Sequence, residues 1–321
     1  GLVADTVYYF RVAGFNRNRA ATVYTLAQGT ATLLEYSPVF SGFTSVGVDA
    51  IWIAWSANGN PDGTLYRVLV STAPDPLNPG GAPASSIDTS DLYISTSGLS
   101  ADTRYYFRVA GVNKGGIATA YTAAQGAATL LAYSPVPTGF DNVYEGGISF
   151  NWSDGGNPDG TLYRVLVSTA PDPLAPDGAV ATTSDTYGVE LSSSGLEADT
   201  TYYFRVAGVN KDGVATGYTE ARSTATLAYA PVFSGFTELS PSGMRFNWSA
   251  EGNPGDTVYR AVISTAPNPL VPEGAAVTVA DTYEVFLDSA GLFTDTTYYF
   301  RVAGVNKNGV VTAYTAAEGT A

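Results

Sequence analysis

The chain has 321 residues, 45% of them apolar and only 14% charged, with a formal net charge of −14. That length holds two or three ordinary domains, and the composition excludes a disordered polyampholyte. The acidity argues against a nucleic-acid partner, whose phosphates demand Lys and Arg. With no Cys and no His, Ser–His–Asp, Cys–His and zinc chemistry are impossible. No apolar run approaches a membrane span. The 35 Gly and 22 Tyr suit turns and strands and point to an all-β chain.

In chain order, residues 1–35 come first and hold only two strands, with Tyr8, Phe10 and Val12 alternating along the first. The next segment, 36–132, opens at Pro38. Its Trp55 precedes an "NPDGT" turn, and "LYRVLV" puts Tyr66, Val68 and Val70 on one face. A Pro-rich stretch, "APDPLNPGGAP", leads on to "ADTRYYFRVAGVNKGG" from Ala101. There Tyr105, Phe107 and Val109 share one face, while Tyr106, Arg108 and Ala110 share the other. Segments 133–228 and 229–321 repeat the pattern, opening at Pro135 and Pro231 with Trp152 and Trp248, then Tyr163 and Tyr259. Tyr8, Tyr105, Tyr202 and Tyr298 recur at 97, 97 and 96 residues, the size of a small domain rather than of a solenoid unit. Strands separated by "GNPDG" and "NKGG" turns predict antiparallel β-sandwiches.

These residues resemble the fibronectin type III family. Leu99, Thr103, Tyr105, Val109 and Asn113 fall at the offsets of that family's strand F, with Gly111 in place of an Ala, and the offsets hold again from Leu196 and Leu292. Trp55, Trp152 and Trp248 match its strand B tryptophan, and Tyr66, Tyr163 and Tyr259 its strand C tyrosine. The long Pro-rich loop after strand C and the compact "GNPDG" connection depart from the pattern. The resemblance implies three complete tandem sandwiches, preceded at 1–35 by strands F and G of a fourth. It also implies that C and F are neighbours in one sheet, that the Trp and Tyr rings pack between sheets, and that the Tyr hydroxyl bonds nearby backbone.

Chemistry is harder to find. Asp62, Asp75, Asp88 and Asp102 recur unit by unit in turns, which reads as structural rather than catalytic. Asn60 with Asp62, and Asn157 with Asp159, supply too few oxygens for calcium and read as turn formers. "NWS" at Asn151 and Asn247 fits a glycosylation acceptor, but lies in a strand beside the core Trp. No Arg-Gly-Asp occurs, and the family's ligand loop here carries Lys114, Lys211 and Lys307, the only lysines of the chain. No enzyme, cofactor or metal is expected.

The outward faces of strands C and F are unexpectedly apolar. They carry Leu69, Tyr106 and Arg108 in the first complete unit, Leu166, Tyr203 and Arg205 in the second, and Val262, Tyr299 and Arg301 in the third. A solvated sheet face reads polar, and this mixture has an interface composition. Packing against another chain and cover by the unit's own Pro-rich loop both fit. Residues 1–35 pose the same question, since two strands cannot bury Tyr8, Phe10 and Val12 alone. Strands supplied by an adjoining part of a polymer, in cis or in trans, would complete them, so the chain is expected to be a piece of something longer. The expected function is a non-catalytic extracellular structural repeat of a surface filament, fibre or sheath, partnered by copies of itself or adjoining repeats. The alternative is an adhesive or carbohydrate-binding spacer array.

Overall fold

The alternating segments all become strands, and no helix occurs among the described residues. The computed structural model describes residues 1–321 except 81, 178, 180 and 274. Two compact units result. One comprises Gly1–Tyr133, Asn157–Thr161 and Val209–Thr216; the other comprises Ser134–Gly156, Leu162–Gly208 and Gly217–Ala321.

In the first unit, β1 (Val7–Phe10) pairs antiparallel with β2 (Gln28–Ala31) as an isolated two-stranded sheet. The following strands are β3 (Val39–Val46), β4 (Ile51–Ser56), β5 (Leu65–Ser71), β6 (Ala84–Thr89), β7 (Tyr93–Thr96), β8 (Arg104–Val112) and β9 (Gln125–Ala128). They form a β3-β4-β7 sheet and a β6-β5-β8-β9 sheet. In the letters of the resemblance these are A-B-E and C′-C-F-G, with C and F side by side as it implies. Between them Ile51, Ile53, Trp55, Tyr66, Val68, Phe107 and Val109 make the core, Trp55 meeting Tyr66 edge to face at 5.8 Å. Of these, Tyr66, Val68, Phe107 and Val109 are residues that period two put on one face.

The second unit holds two more such sandwiches. Strands β10 (Val136–Tyr144), β11 (Gly147–Ser153) and β14 (Glu190–Ser194) face β13 (Ala181–Thr186), β12 (Leu162–Ser168), β15 (Thr201–Val209) and β16 (Arg222–Ala225). Strands β17 (Val232–Ser240), β18 (Gly243–Ser249) and β21 (Phe286–Ala290) face β20 (Val277–Thr282), β19 (Val258–Ser264), β22 (Tyr298–Val305) and β23 (Glu318–Thr320). Trp152, Phe150 and Phe204 fill one core, and Trp248, Phe246 and Phe300 the other. Each first strand carries a register shift beside a glycine, for example between Phe140-side residues Pro137 and Gly139, whose φ of 148° a side chain would strain.

One corner repeats at every F strand. The Tyr105 hydroxyl accepts the Ser100 backbone N–H at 2.9 Å, Tyr202 that of Glu197 at 2.9 Å, and Tyr298 that of Phe293 at 3.0 Å. Tyr8 does the same with Val3 at 2.8 Å. The hydroxyl is thereby satisfied while its ring covers the core edge.

Candidate functional site

The outward face of the C–F sheet is a lattice of arginines and carboxylates. On β5 and β6, directly opposite residues Arg67 and Asp88 make two parallel bonds, Nε to Oδ1 at 2.8 Å and Nη2 to Oδ2 at 2.7 Å. Arg164 with Asp185, and Arg260 with Asp281, repeat that fork at 2.8 Å throughout. The fork holds the carboxyls of Asp88, Asp185 and Asp281 below the usual carboxylate range and raises their arginines.

The second arginine of each face meets a different partner. Arg108 on β8 reaches Asp75 of its own Pro-rich loop, Nε to Oδ1 at 2.8 Å, and Nη1 donates to the Thr122 carbonyl at 2.8 Å. Arg205 on β15 likewise takes Asp172 at 3.1 Å and the Thr219 carbonyl at 2.9 Å. The loop therefore folds back over part of the patch. Leu69, Tyr106 and Arg108 are half-buried, as are Leu166, Tyr203 and Arg205, together with Tyr299 and Arg301; Val262 is buried. Tyr106 lies across the sheet onto Gly126, where a Cβ would come within 2.8 Å of the ring. Ala110, expected on the same wet face, is buried, as is Val112, because the chain after the hairpin returns alongside β8: the Thr119 N–H bonds the Gly111 carbonyl and the Thr122 N–H that of Val109.

Sequence reasoning missed a joint that occurs three times. Asp5 precedes β1 in a turn of positive φ (49°), and its Oδ1 accepts the Lys114 backbone N–H at 2.7 Å. Asp102 (φ 46°) accepts that of Lys211 at 2.8 Å, inside the same compact unit, and Asp199 (φ 44°) accepts that of Lys307 at 2.7 Å inside the other. The residue before each lysine adds a second bond. Asn113 donates to the Thr32 carbonyl at 3.0 Å, Asn210 to that of Thr129 at 3.1 Å, and Asn306 to that of Thr226 at 3.0 Å. All three aspartates and all three asparagines are buried. The turn asparagines weighed for calcium belong here as well: Asn60 donates to the Tyr36 carbonyl and Asn157 to that of Tyr133, each at 2.8 Å. Among the described residues no cluster of three or more acids is placed to hold a metal. The recurring "ADT" tripeptide and "NK" dipeptide were the available signal, but nothing in their spacing says that they meet.

Residues 1–35 contribute Asp5 and Leu34 to the first joint, while the inner face of their sheet stays open: Phe10 is 52% and Val12 68% exposed, and Tyr8 is half-buried. Of the two glycosylation candidates, Asn151 donates to Asp141 at 2.7 Å, and Asn247 donates to the Gly235 carbonyl at 3.1 Å and to Thr237 at 3.0 Å. Both amides are thus engaged by the neighbouring strand.

No protein-family model and no curated protein matches this sequence. Among solved structures the chain is similar to the crystal structure of the chicken CNTN1 FN1–FN3 domains, at 14% identity and a TM-score of 0.28, over 88% of this chain and 98% of that one. By its own sheet order, three strands against four in each sandwich, the chain is a tandem array of antiparallel β-sandwiches, the architecture that the sequence resemblance implies. Among the described residues no helix is long and apolar enough to cross a membrane.

Proposed function

We propose that the chain is a non-catalytic, extracellular structural repeat that builds a surface filament, fibre or sheath from copies of itself or adjoining repeats. The observation that carries this reading is the joint. Three times, a buried carboxylate in a left-handed turn takes a backbone N–H of the following hairpin, and a buried Asn takes a carbonyl. A spacer that only needs reach uses solvated Gly/Ser linkers. Repeated buried bonds at every joint serve a part whose geometry must be kept. In this reading the Leu166/Tyr203 face and its counterparts meet a neighbouring chain, and strands like β3, β4 and β7 of an adjoining repeat cover Tyr8, Phe10 and Val12.

Electron microscopy of concentrated protein tests it. Regular polymers are expected from the natural sequence and loss of lateral association from Leu166→Asp with Tyr203→Asp, with circular dichroism unchanged. Monodisperse single molecules at high concentration overturn the filament reading in favour of a spacer array.

A further inference from the structure

We propose that the Asp295 turn of the third sandwich docks a hairpin of a second copy of this chain: the Asp295 carboxylate takes the Arg17 backbone N–H, and Thr320 takes the Asn18 side-chain amide. The proposal rests on the filament reading and supplies its end-to-end contact, separate from the lateral face. Asp295 stands three residues before the corner Tyr298, the place that Asp5, Asp102 and Asp199 hold before Tyr8, Tyr105 and Tyr202. Each of those three accepts a backbone N–H from an Asn-Lys hairpin at 2.7–2.8 Å. The Asp295 turn has the same form. Its φ is 55° against 44–49°, and Thr296 closes it on the Thr294 carbonyl as Thr200 does on that of Ala198. Yet Asp295 is exposed.

The matching half lies in residues 1–35. Its Asn16 hairpin has the shape of the Asn306 hairpin that meets Asp199. The Asn16 N–H bonds the Ala20 carbonyl at 3.0 Å, and Asn16 Oδ1 accepts the N–H groups of Asn18 and Ala20 at 2.9 and 3.0 Å. For Asn306 the corresponding bonds, to the Val310 carbonyl and from Asn308 and Val310, measure 2.9, 3.0 and 2.8 Å. Arg17 stands in the place of Lys114, Lys211 and Lys307, and the joint bond uses only its backbone N–H, which the change of side chain leaves intact. Residues 16–20 are all exposed. The two arginines of this hairpin also bring positive charge to the Asp295 carboxylate.

The occupant is identified by the residue two past each hairpin asparagine, because its partner changes with it from joint to joint. Where that residue is Asp212, it pairs with Arg104 and accepts the Ala128 N–H at 2.6 Å. Where it is Asn308, it donates to Thr224 Oγ1 at 2.8 Å, and Thr201 stands in the place of Arg104. The third sandwich presents the second combination. Thr297 stands in the place of Arg104, and Thr320 lies opposite Tyr298 as Thr224 lies opposite Tyr202. An end of that kind calls for an amide, and the hairpin of residues 1–35 carries Asn18 there. The carbonyl that each joint asparagine takes falls, in this register, one residue past Ala321. The contact between copies therefore has two of the three bonds and is weaker than a joint within the chain.

The test is sedimentation velocity of the full chain, up to millimolar concentration, carrying Leu166→Asp and Tyr203→Asp. That background removes the lateral face, so failure of this contact and failure of the filament's lateral contact are read separately. Concentration-dependent association is expected in it. Adding Asp295→Ala or Asn18→Asp should weaken the association at least about fivefold, as for loss of one hydrogen bond. Circular dichroism should not change, since both residues are exposed. Thr297→Arg added to Asn18→Asp should restore the association by reproducing the pairing of Arg104 with Asp212. No association in the background, association undiminished by Asp295→Ala, or failure of Thr297→Arg to restore it overturns the proposal.

Discussion

Tyr8-Tyr9-Phe10-Arg11-Val12 and Tyr105-Tyr106-Phe107-Arg108-Val109 are the same five residues in one compact unit, and their surroundings are opposite. Phe107 and Val109 are wholly buried, whereas Phe10 and Val12 are more than half exposed. What they share is local. Both strands pair antiparallel with a partner about twenty residues on, both seat the outward Tyr on a glycine, and both close the tyrosine corner. What differs is the facing sheet, β3-β4-β7, which only the second copy possesses. Period two thus encodes a face, while burial of that face is conferred by residues elsewhere in the sequence.

The largest effect that could break this comparison is a pair of truncations. Phe107→Ala should cost about 3–5 kcal/mol, as large aromatic deletions in a packed core do. Phe10→Ala should leave the urea midpoint of the chain where it was. If both lower the midpoint alike, the Tyr8–Val12 face is covered in solution.

A smaller contrast separates Asp102 from Asp295. Both occupy the same left-handed turn, with φ of 46° and 55°, yet Asp102 is buried against Lys211 and Asp295 is exposed. Asp102→Ala strands the Lys211 backbone N–H and should cost about 1–3 kcal/mol. Because the Lys211 ammonium is also tied down, to the Asp102 carbonyl at 2.7 Å, tryptic cleavage after Lys211 should accelerate in that variant. Asp295→Ala should change neither the midpoint nor the cleavage pattern. An equal response of the two would mean that the joint bond contributes nothing.

The parts legible in the sequence were those set by local repetition. Trp55, Trp152 and Trp248 announced the cores, and the alternation of Tyr66, Val68 and Val70 with Arg67 and Leu69 assigned inward and outward faces. The cover of the outward face is not legible in the sequence, because a Pro-rich loop has no period from which to read its course. That Asp75 would reach Arg108 rests on the fold-back of the chain after β5. The joint was invisible for a different reason: Asp102 and Lys211 are 109 residues apart and belong to different repeats. Each taken alone is an ordinary turn residue. Only the recurrence of both at one period hinted at a pairing, and recurrence is equally what a purely structural turn produces.

The smallest expected effect belongs to the forked pairs of the outward faces. In Asp88, Asp185 and Asp281 the arginine fork lowers the carboxyl pKa in the folded chain. Between the folded and unfolded values the unfolded chain binds more protons, so stability rises with pH through that window. The contribution is complete above the unfolded carboxylate value of about 3.9 and is lost as pH falls through the lower folded values. These carboxylates are about one-third to nearly one-half exposed, so solvent screens them and each pair contributes less than about 1 kcal/mol. The triple variant Asp88→Asn, Asp185→Asn, Asp281→Asn should therefore lose little stability at pH 7. Its thermal midpoint should fall less steeply below pH 4 than that of the natural sequence, and 0.5 M salt should shrink the difference. An acid limb of unchanged slope would place the titrating groups elsewhere.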